Sequence, residues 1–136
     1  MIKDAKLTKE ISVECENKIG VLANISKLIA DHDINIEGIA GYGQGGKANI
    51  MLVTDDNLRA TDALKKAGYI SVKESEVIMV DLENKTGAMK NVTAKLATEG
   101  IDIKYTYGTI CSSGCPARLI LSTTHNEKAF VMFKAK

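Results

Sequence analysis

The sequence predicts an α+β fold in which a βαββαβ unit, a four-stranded antiparallel sheet with two helices on one face, occurs twice in tandem. Three observations carry that prediction. ENKIG at residues 16–20 returns as ENKTG at 83–87. After each copy the apolar period switches between two and about 3.6 in the same order. Turn-forming stretches fall between the strand-like segments, GYGQGG (41–46) in the first copy and CSSGC (111–115) in the second.

The repeat extends well beyond five residues. With Glu16 laid on Glu83, IADHDINIE (29–37) falls on LATEGIDIK (96–104), and Asn24 and Ala30 meet identical residues at Asn91 and Ala97. Ile11, Val13 and Cys15 fall on Ile78, Val80 and Leu82. Two copies are too few for a solenoid, which needs roughly three or more. The reading is two small modules, residues 1–73 and 74–136. A lone module of about 65 residues would be marginal, and the join VKESEV (72–77) holds no Gly or Pro that would make it a loose tether.

The elements of the first module follow in order. EISVECE (10–16) alternates, with Ile11, Val13 and Cys15 on one face, as a half-buried strand does. From Ile19 the spacing becomes helical, and Leu22, Ile25, Leu28 and Ile29 make one stripe that ends near His32. INIEGI (34–39) and KANIMLV (47–53) read as a hairpin about the glycine-rich turn. TDDNLRATDALKKAG supplies a second helix, with Thr54, Asp55 or Asp56 to accept from its first N–H groups and Gly68 for the left-handed residue beyond its end. YISV (69–72) closes the module as a short strand.

The second module repeats this as SEVIMVDLE, TGAMKNVTAKLATEG, IDIKYTY, PARLILS and THNEKAFVMFK, the last opened by Thr124 and Glu127 at capping-box spacing. It lacks the counterpart of YISV. Residues 2–9 or a partner chain would have to fill that edge, because open edges invite aggregation. The order defines the ferredoxin-like sandwich. Met51, Val53, Val77, Met79 and Ile120 have the wrong parity for the helix-covered face, so the opposite face is partly apolar and predicts a homodimer.

Composition excludes several functions. A net charge of +1 with scattered Lys and Arg gives no basis for binding nucleic acid or an anionic membrane. The charged start MIKDAKLTKE does not resemble a signal peptide and no apolar run approaches a membrane span, so a soluble cytoplasmic protein is expected. Three cysteines, an odd number, argue against a secreted disulfide framework.

The ENKIG turn, followed fifteen residues after Gly20 by Asn35 in the next strand, resembles the ACT domain family of small regulatory modules of amino-acid metabolism. The resemblance covers both copies. It implies a non-catalytic module that binds an amino acid where the first strand hands over to the first helix and at the interfaces between modules, acting on a partner enzyme or regulator. It places ligand contacts at Asn17, Gly20, Val21, Leu22 and Asn35, and in the second copy at Asn84, Gly87, Ala88, Met89 and Asp102. The physics agrees: a turn opening a helix presents N–H groups at the positive end of the helix dipole to a carboxylate. Asn side chains offer both donors and acceptors.

The copies differ, since Asp102 stands where Asn35 stands and would favour an ammonium. Both depart from the family's usual Pro before the glycine, with Ile19 and Thr86 in its place. Asn17 and Asn84 also read as ordinary turn residues, and Asn35 as a solvated edge position.

Other signals carry less. GYGQGG matches G-x-G-x-x-G, but a strand follows it instead of the helix that a dinucleotide site needs. Cys111 and Cys115 read first as two free thiols in a loop, with a metal site or a disulfide as alternatives. His32 and His125 read as solvated, and Tyr105 with Tyr107 as packing residues. No nucleophile–base or paired-carboxylate arrangement emerges, so no enzyme and no cofactor are expected. RNA binding would need aromatics on the central strands, which KANIML lacks. The competing reading is a metal-binding or protein-interaction module of the same fold without an amino-acid ligand.

Overall fold

The computed structural model describes residues 2–109 and 115–134. Its elements run β1 (Ile2–Glu16), α1 (Val21–Asp31), β2 (Ile36–Gln44), β3 (Lys47–Thr54), α2 (Asn57–Lys66), β4 (Ser71–Leu82), α3 (Ala88–Thr98), β5 (Ile103–Thr109), β6 (Ala117–Thr123) and α4 (Asn126–Lys134). This is the duplicated βαββαβ arrangement that the sequence predicts, with one difference: the end of YISV and SEVIMVDLE, read as two strands, form the single strand β4 (Ser71–Leu82). The chain divides into two compact units, one spanning Lys9–Ser75 and the other combining the residues before Lys9 with those from Glu76 onward. The long strands β1 and β4 each supply residues to both.

In the Lys9–Ser75 unit the strand order is β2-β3-β1-β4. β1 and β3 pair antiparallel with Ile11 opposite Leu52 and Cys15 opposite Ala48, and β2 pairs with β3 with Tyr42 opposite Asn49. Ile11, Val13, Ile50 and Leu52 point to the face that α1 and α2 cover with Ile25, Ile29, Ala60 and Leu64. The β2–β3 connection is a two-residue turn, Gly45 and Gly46 at φ 59° and 81°. Two successive positive φ values match the twist of the flanking strands and demand glycine. GYGQGG is thus a hairpin.

In the other unit the order is β1-β4-β6-β5. Ile78, Val80, Leu82 and Leu121 meet Val92 and Leu96 of α3 and Ala129 and Phe133 of α4. The strand missing from the second copy is supplied by the start of β1: Ala5 is 2% exposed inside this core, and Ile2 and Leu7 pack against it. Lys134 Nζ donates to Asp4 Oδ1 at 3.1 Å, so the last helix also holds this strand.

Both first helices end alike. Asp33 and Gly100 are left-handed at φ 57° and 67°, and the N–H groups of Ile34 and Ile101 reach back to the carbonyls of Ile29 and Leu96, closing the helix as a Schellman motif does. Gly68, beyond α2, has φ 100°.

Two expectations need correction. Val53, Val77, Met79 and Ile120 are at most 2% exposed in the single chain and Met51 is half-buried, so no second chain is needed to cover that face. Parity identified an apolar face but not what covers it. Cys115 is disulfide-bonded, against the reading of two free thiols, whereas Cys15 is free. Spacing alone does not report redox state, and Cys111 lies outside the described residues.

Candidate functional site

Each unit carries a cavity where its first strand hands over to its first helix. The one in the Lys9–Ser75 unit has a volume of about 360 Å³ and is lined by Asn17, Lys18, Gly20, Val21 and Leu22, with Ile39 to Tyr42 of β2 and Ala48 and Ile50 of β3. The other, about 370 Å³, is lined by Leu82 to Lys85, Ala88 and Met89, with Gly108 and Thr109 of β5 and Ala117 to Leu119 of β6. The two occupy matching places, and both cavities are open to solvent.

Glycine builds each helix start. Gly20 and Gly87, the residues before α1 and α3, have φ 92° and 87° with no side-chain cap. A β-carbon would meet nothing within 4 Å at either position, so glycine is there for its backbone conformation and not for space. The Val21 N–H turns back to the Lys18 carbonyl at 3.2 Å and the Ala88 N–H to Lys85 at 3.2 Å. The next donors, on Leu22 and Ala23 and on Met89 and Lys90, lie in the first turn, where a helix supplies no internal acceptor. Neither first turn contains an acidic residue. By contrast, Asp56 caps α2 by accepting from the Arg59 N–H at 3.2 Å. The first-turn amides of α1 and α3 are therefore the ones presented to an anion.

Asn17 is fixed by the hairpin. Its N–H donates to the Gly46 carbonyl at 2.9 Å, and its side-chain amide lies across Gly43, where a β-carbon would come within 2.5 Å of Nδ2. Lys18 pairs with Glu16 at 3.5 Å and Lys85 with Glu83 at 3.2 Å, all well exposed except the half-buried Glu83. Exposed pairs of this kind contribute little to stability. In the second unit Arg118 Nε donates to Asp81 Oδ1 at 2.9 Å. Cys15, half-buried on β1, has its thiol pushed up by burial, with the Lys47 ammonium opposing.

The predicted contacts Asn17, Gly20, Val21 and Leu22 come together at the first cavity, and Asn84, Ala88 and Met89 at the second, beside Gly87 at the helix start. Asn35 and Asp102 do not line either. Asn35 precedes β2 at the end opposite Tyr42, roughly 20 Å away at about 3.3 Å per residue. There its N–H donates to Asp55 Oδ1 at 2.9 Å, and its carbonyl accepts from the Asp55 N–H at 3.1 Å. Asp102 is tied in the same way to Thr124. Adjacency of motif letters did not reveal that β2 carries the second asparagine to the far end of the sheet.

Sequence reasoning also missed the wall residues Ile39, Tyr42 and Ile50. Their signal was present: Ile39 and Tyr42 are apolar on an edge strand, and the structure leaves them 43% and 53% exposed. His32 and His125 are exposed and hydrogen-bonded, to the Leu28 carbonyl and the Thr124 hydroxyl. Tyr105 and Tyr107 stack with ring centres 6.5 Å apart. Among the described residues no three His, Cys, Asp or Glu side chains converge to hold a metal, and no helix is long and apolar enough to cross a membrane.

Known proteins resemble this chain in part of its sequence and in its fold. Residues 9–66 match the ACT domain family. The fold is similar to that of a protein from Bacteroides thetaiotaomicron, with TM-score 0.87, 24% identity, and coverage of 96% of this chain and 88% of that one. It is also similar to the ligand-free regulatory subunit of aspartate kinase from Thermus thermophilus, with TM-score 0.68, 14% identity, and coverage of 98% and 96%. Aspartokinase III of E. coli, solved with lysine and aspartate, aligns at TM-score 0.55 and 16% identity over 98% of this chain and 32% of that chain. No curated protein matches in sequence. Residues 9–66 thus resemble an ACT domain, and the chain as a whole has the duplicated ferredoxin-like fold of these structures.

Proposed function

We propose that the protein is a non-catalytic regulatory module that binds a free amino acid at the β1–α1 turn and, in the second unit, at the β4–α3 turn, and passes that binding to a partner enzyme or regulator of amino-acid metabolism. The observation that carries the reading is the repetition of one arrangement: an uncapped helix start behind a left-handed glycine, opening onto a cavity of about 360 Å³ in one unit and 370 Å³ in the other. In this reading a carboxylate docks on the first-turn amides, and the side-chain oxygen of Asn17 or Asn84, each lining its cavity, accepts from the ammonium.

Charge-assisted hydrogen bonds contribute about 1.5–3 kcal/mol each. After the cost of association, two or three such bonds support roughly millimolar to high-micromolar binding. That is a range suited to following a metabolite pool.

In this reading the protein works in the cytoplasm, where the Cys115 disulfide would exchange with the thiol pool. A homodimer remains part of the proposal on new ground. β2 is the edge strand of its unit, and a second chain laid along it would cover Ile39 and Tyr42 and close the cavity mouth. Light scattering with and without ligand reads this directly.

The test of the function is a thermal-shift panel of the twenty amino acids. A ligand at a hundred times its dissociation constant stabilises by about 2.7 kcal/mol. A shift with one or a few of them supports the reading, and no shift with any overturns it.

A further inference from the structure

The two cavities are built alike but walled differently, and the strand register allows a position-by-position comparison. Gly41 is opposite Ile50 in the first unit and Gly108 is opposite Leu119 in the second, so the cavity floors match. One residue on, Tyr42 opposite Asn49 is replaced by Thr109 opposite Arg118. Ile39, opposite Leu52, is replaced by Thr106, opposite Leu121. At the helix, Val21 and Leu22 correspond to Ala88 and Met89.

The first cavity therefore gathers Leu22, Ile39 and Tyr42, each between 43% and 53% exposed, around one mouth. The one charged side chain lining it, Lys18, is already paired with Glu16. No lining carboxylate is available to receive a ligand ammonium or guanidinium beyond the α-amino group. Against Leu22, Ile39 and Tyr42 a charged ligand side chain would give up part of its water, and a pair with the exposed Lys18 would return little, so the exchange is costly. An apolar one would cover exposed aliphatic and aromatic surface, which is favourable. The second cavity, with Glu83, Lys85, Thr109 and Arg118 in its wall, does not share this selectivity.

We infer that the first cavity selects an amino acid with an uncharged apolar side chain, aliphatic or aromatic, and rejects lysine and aspartate. This rests on the amino-acid reading above and adds the ligand's chemical class. The selectivity comes from β2, whose Ile39 and Tyr42 lie outside the helix-turn motif.

Titration calorimetry on the full chain tests it, with L-leucine, L-isoleucine, L-valine and L-phenylalanine against L-lysine and L-aspartate. At least one of the first four binds and the last two do not. Tyr42→Thr gives the first cavity the residue the second already carries, and Tyr42→Asp goes further. Each weakens binding of the apolar ligand by about tenfold or more, while Leu58→Asp, an exposed position of α2 that lines neither cavity, leaves it unchanged. Tyr42 is exposed on an edge strand, so circular dichroism should show both variants folded; Ile39→Thr serves as a further variant on the same wall.

If lysine or aspartate binds and responds to Tyr42, or if binding of the apolar ligand is lost in Met89→Asp of the second cavity and kept in the Tyr42 variants, the assignment is overturned while amino-acid binding stands. Silence from all twenty amino acids overturns both.

Discussion

The side-chain amide of Asn57 donates to the backbone carbonyl of Lys9 at 2.8 Å, fixing the start of α2 to the β1 strand of its own unit. The oxygen of the same amide accepts from the Thr54 N–H at 3.1 Å and the Thr54 hydroxyl at 2.6 Å, and that hydroxyl accepts from the Asp56 N–H at 3.1 Å. The second unit repeats every contact: Asn126 donates to the Glu76 carbonyl at 2.8 Å and accepts from Thr123, whose hydroxyl accepts from the His125 N–H. One asparagine thus joins a strand end, a helix start and a neighbouring strand.

Asn57→Ala and Asn126→Ala should each destabilise the protein by about 1–3 kcal/mol, because partly buried partners lose their hydrogen bonds. Asn57→Asp keeps the acceptor and loses the donor to Lys9, so its effect falls between. Urea denaturation reads all three. A change within a few tenths of a kcal/mol would remove this contact as a structural element.

The two left-handed glycines make a second pair of tests. Nothing crowds a β-carbon at Gly20 or Gly87, so the cost of Gly20→Ala or Gly87→Ala is that of left-handed backbone, about 1–2 kcal/mol. The substitutions should also tilt the helix start and weaken ligand binding. Gly43→Ala acts differently, since it displaces the flexible Asn17 side chain and should impair binding more than stability.

Removing residues 1–8 should open the second unit and spare the first. Ala5 is buried among Ile78, Val80 and their neighbours, and without it β4 has an unpaired edge beside an incomplete core. Hydrogen exchange should show lost protection at Glu76–Leu82 and in α3, with β3 and α1 still protected. Equal loss in both units would contradict the division of β1 between them.

Cys15 and Tyr69 give a pH dependence whose sign is fixed. Burial raises the Cys15 thiol and, with Cys15 beside it, the Tyr69 phenol. Each group then keeps its proton in the folded state at a pH where the unfolded chain has released it. The associated stability is present below the ordinary thiol and phenol range and is lost as pH rises through the folded values. Stability should fall on the alkaline side, less steeply in Cys15→Ala, and Cys15 should alkylate more slowly than a free cysteine at pH 8.

Much of the fold was legible in the sequence because the chemistry was local. Ile11, Val13 and Cys15 alternate as a half-buried strand must, and Gly68 sits at a left-handed position after α2. The Thr–Asn bridge is also written twice, as TDDN (54–57) and TTHN (123–126), yet it escaped the repeat. Tyr42 and its counterpart Thr109 are 67 positions apart, whereas Ala48 and Ala117 are 69 apart, so a comparison at one fixed interval slips past the hairpin. The site was half legible. The turn residues announced themselves as a motif, but the cavity wall depends on the pairing of β2 with β3. That pairing brings Tyr42 near Asn17 and leaves Asn35 at the other end.

The most direct measurement is an amide-resolved NMR titration of the full chain with each amino acid in turn. Binding as proposed moves the Leu22 and Ala23 amide resonances, or those of Met89 and Lys90, saturably and further than those of Arg59 at the Asp56-capped helix. Saturable shifts confined to other segments, or none with any amino acid, would contradict the account.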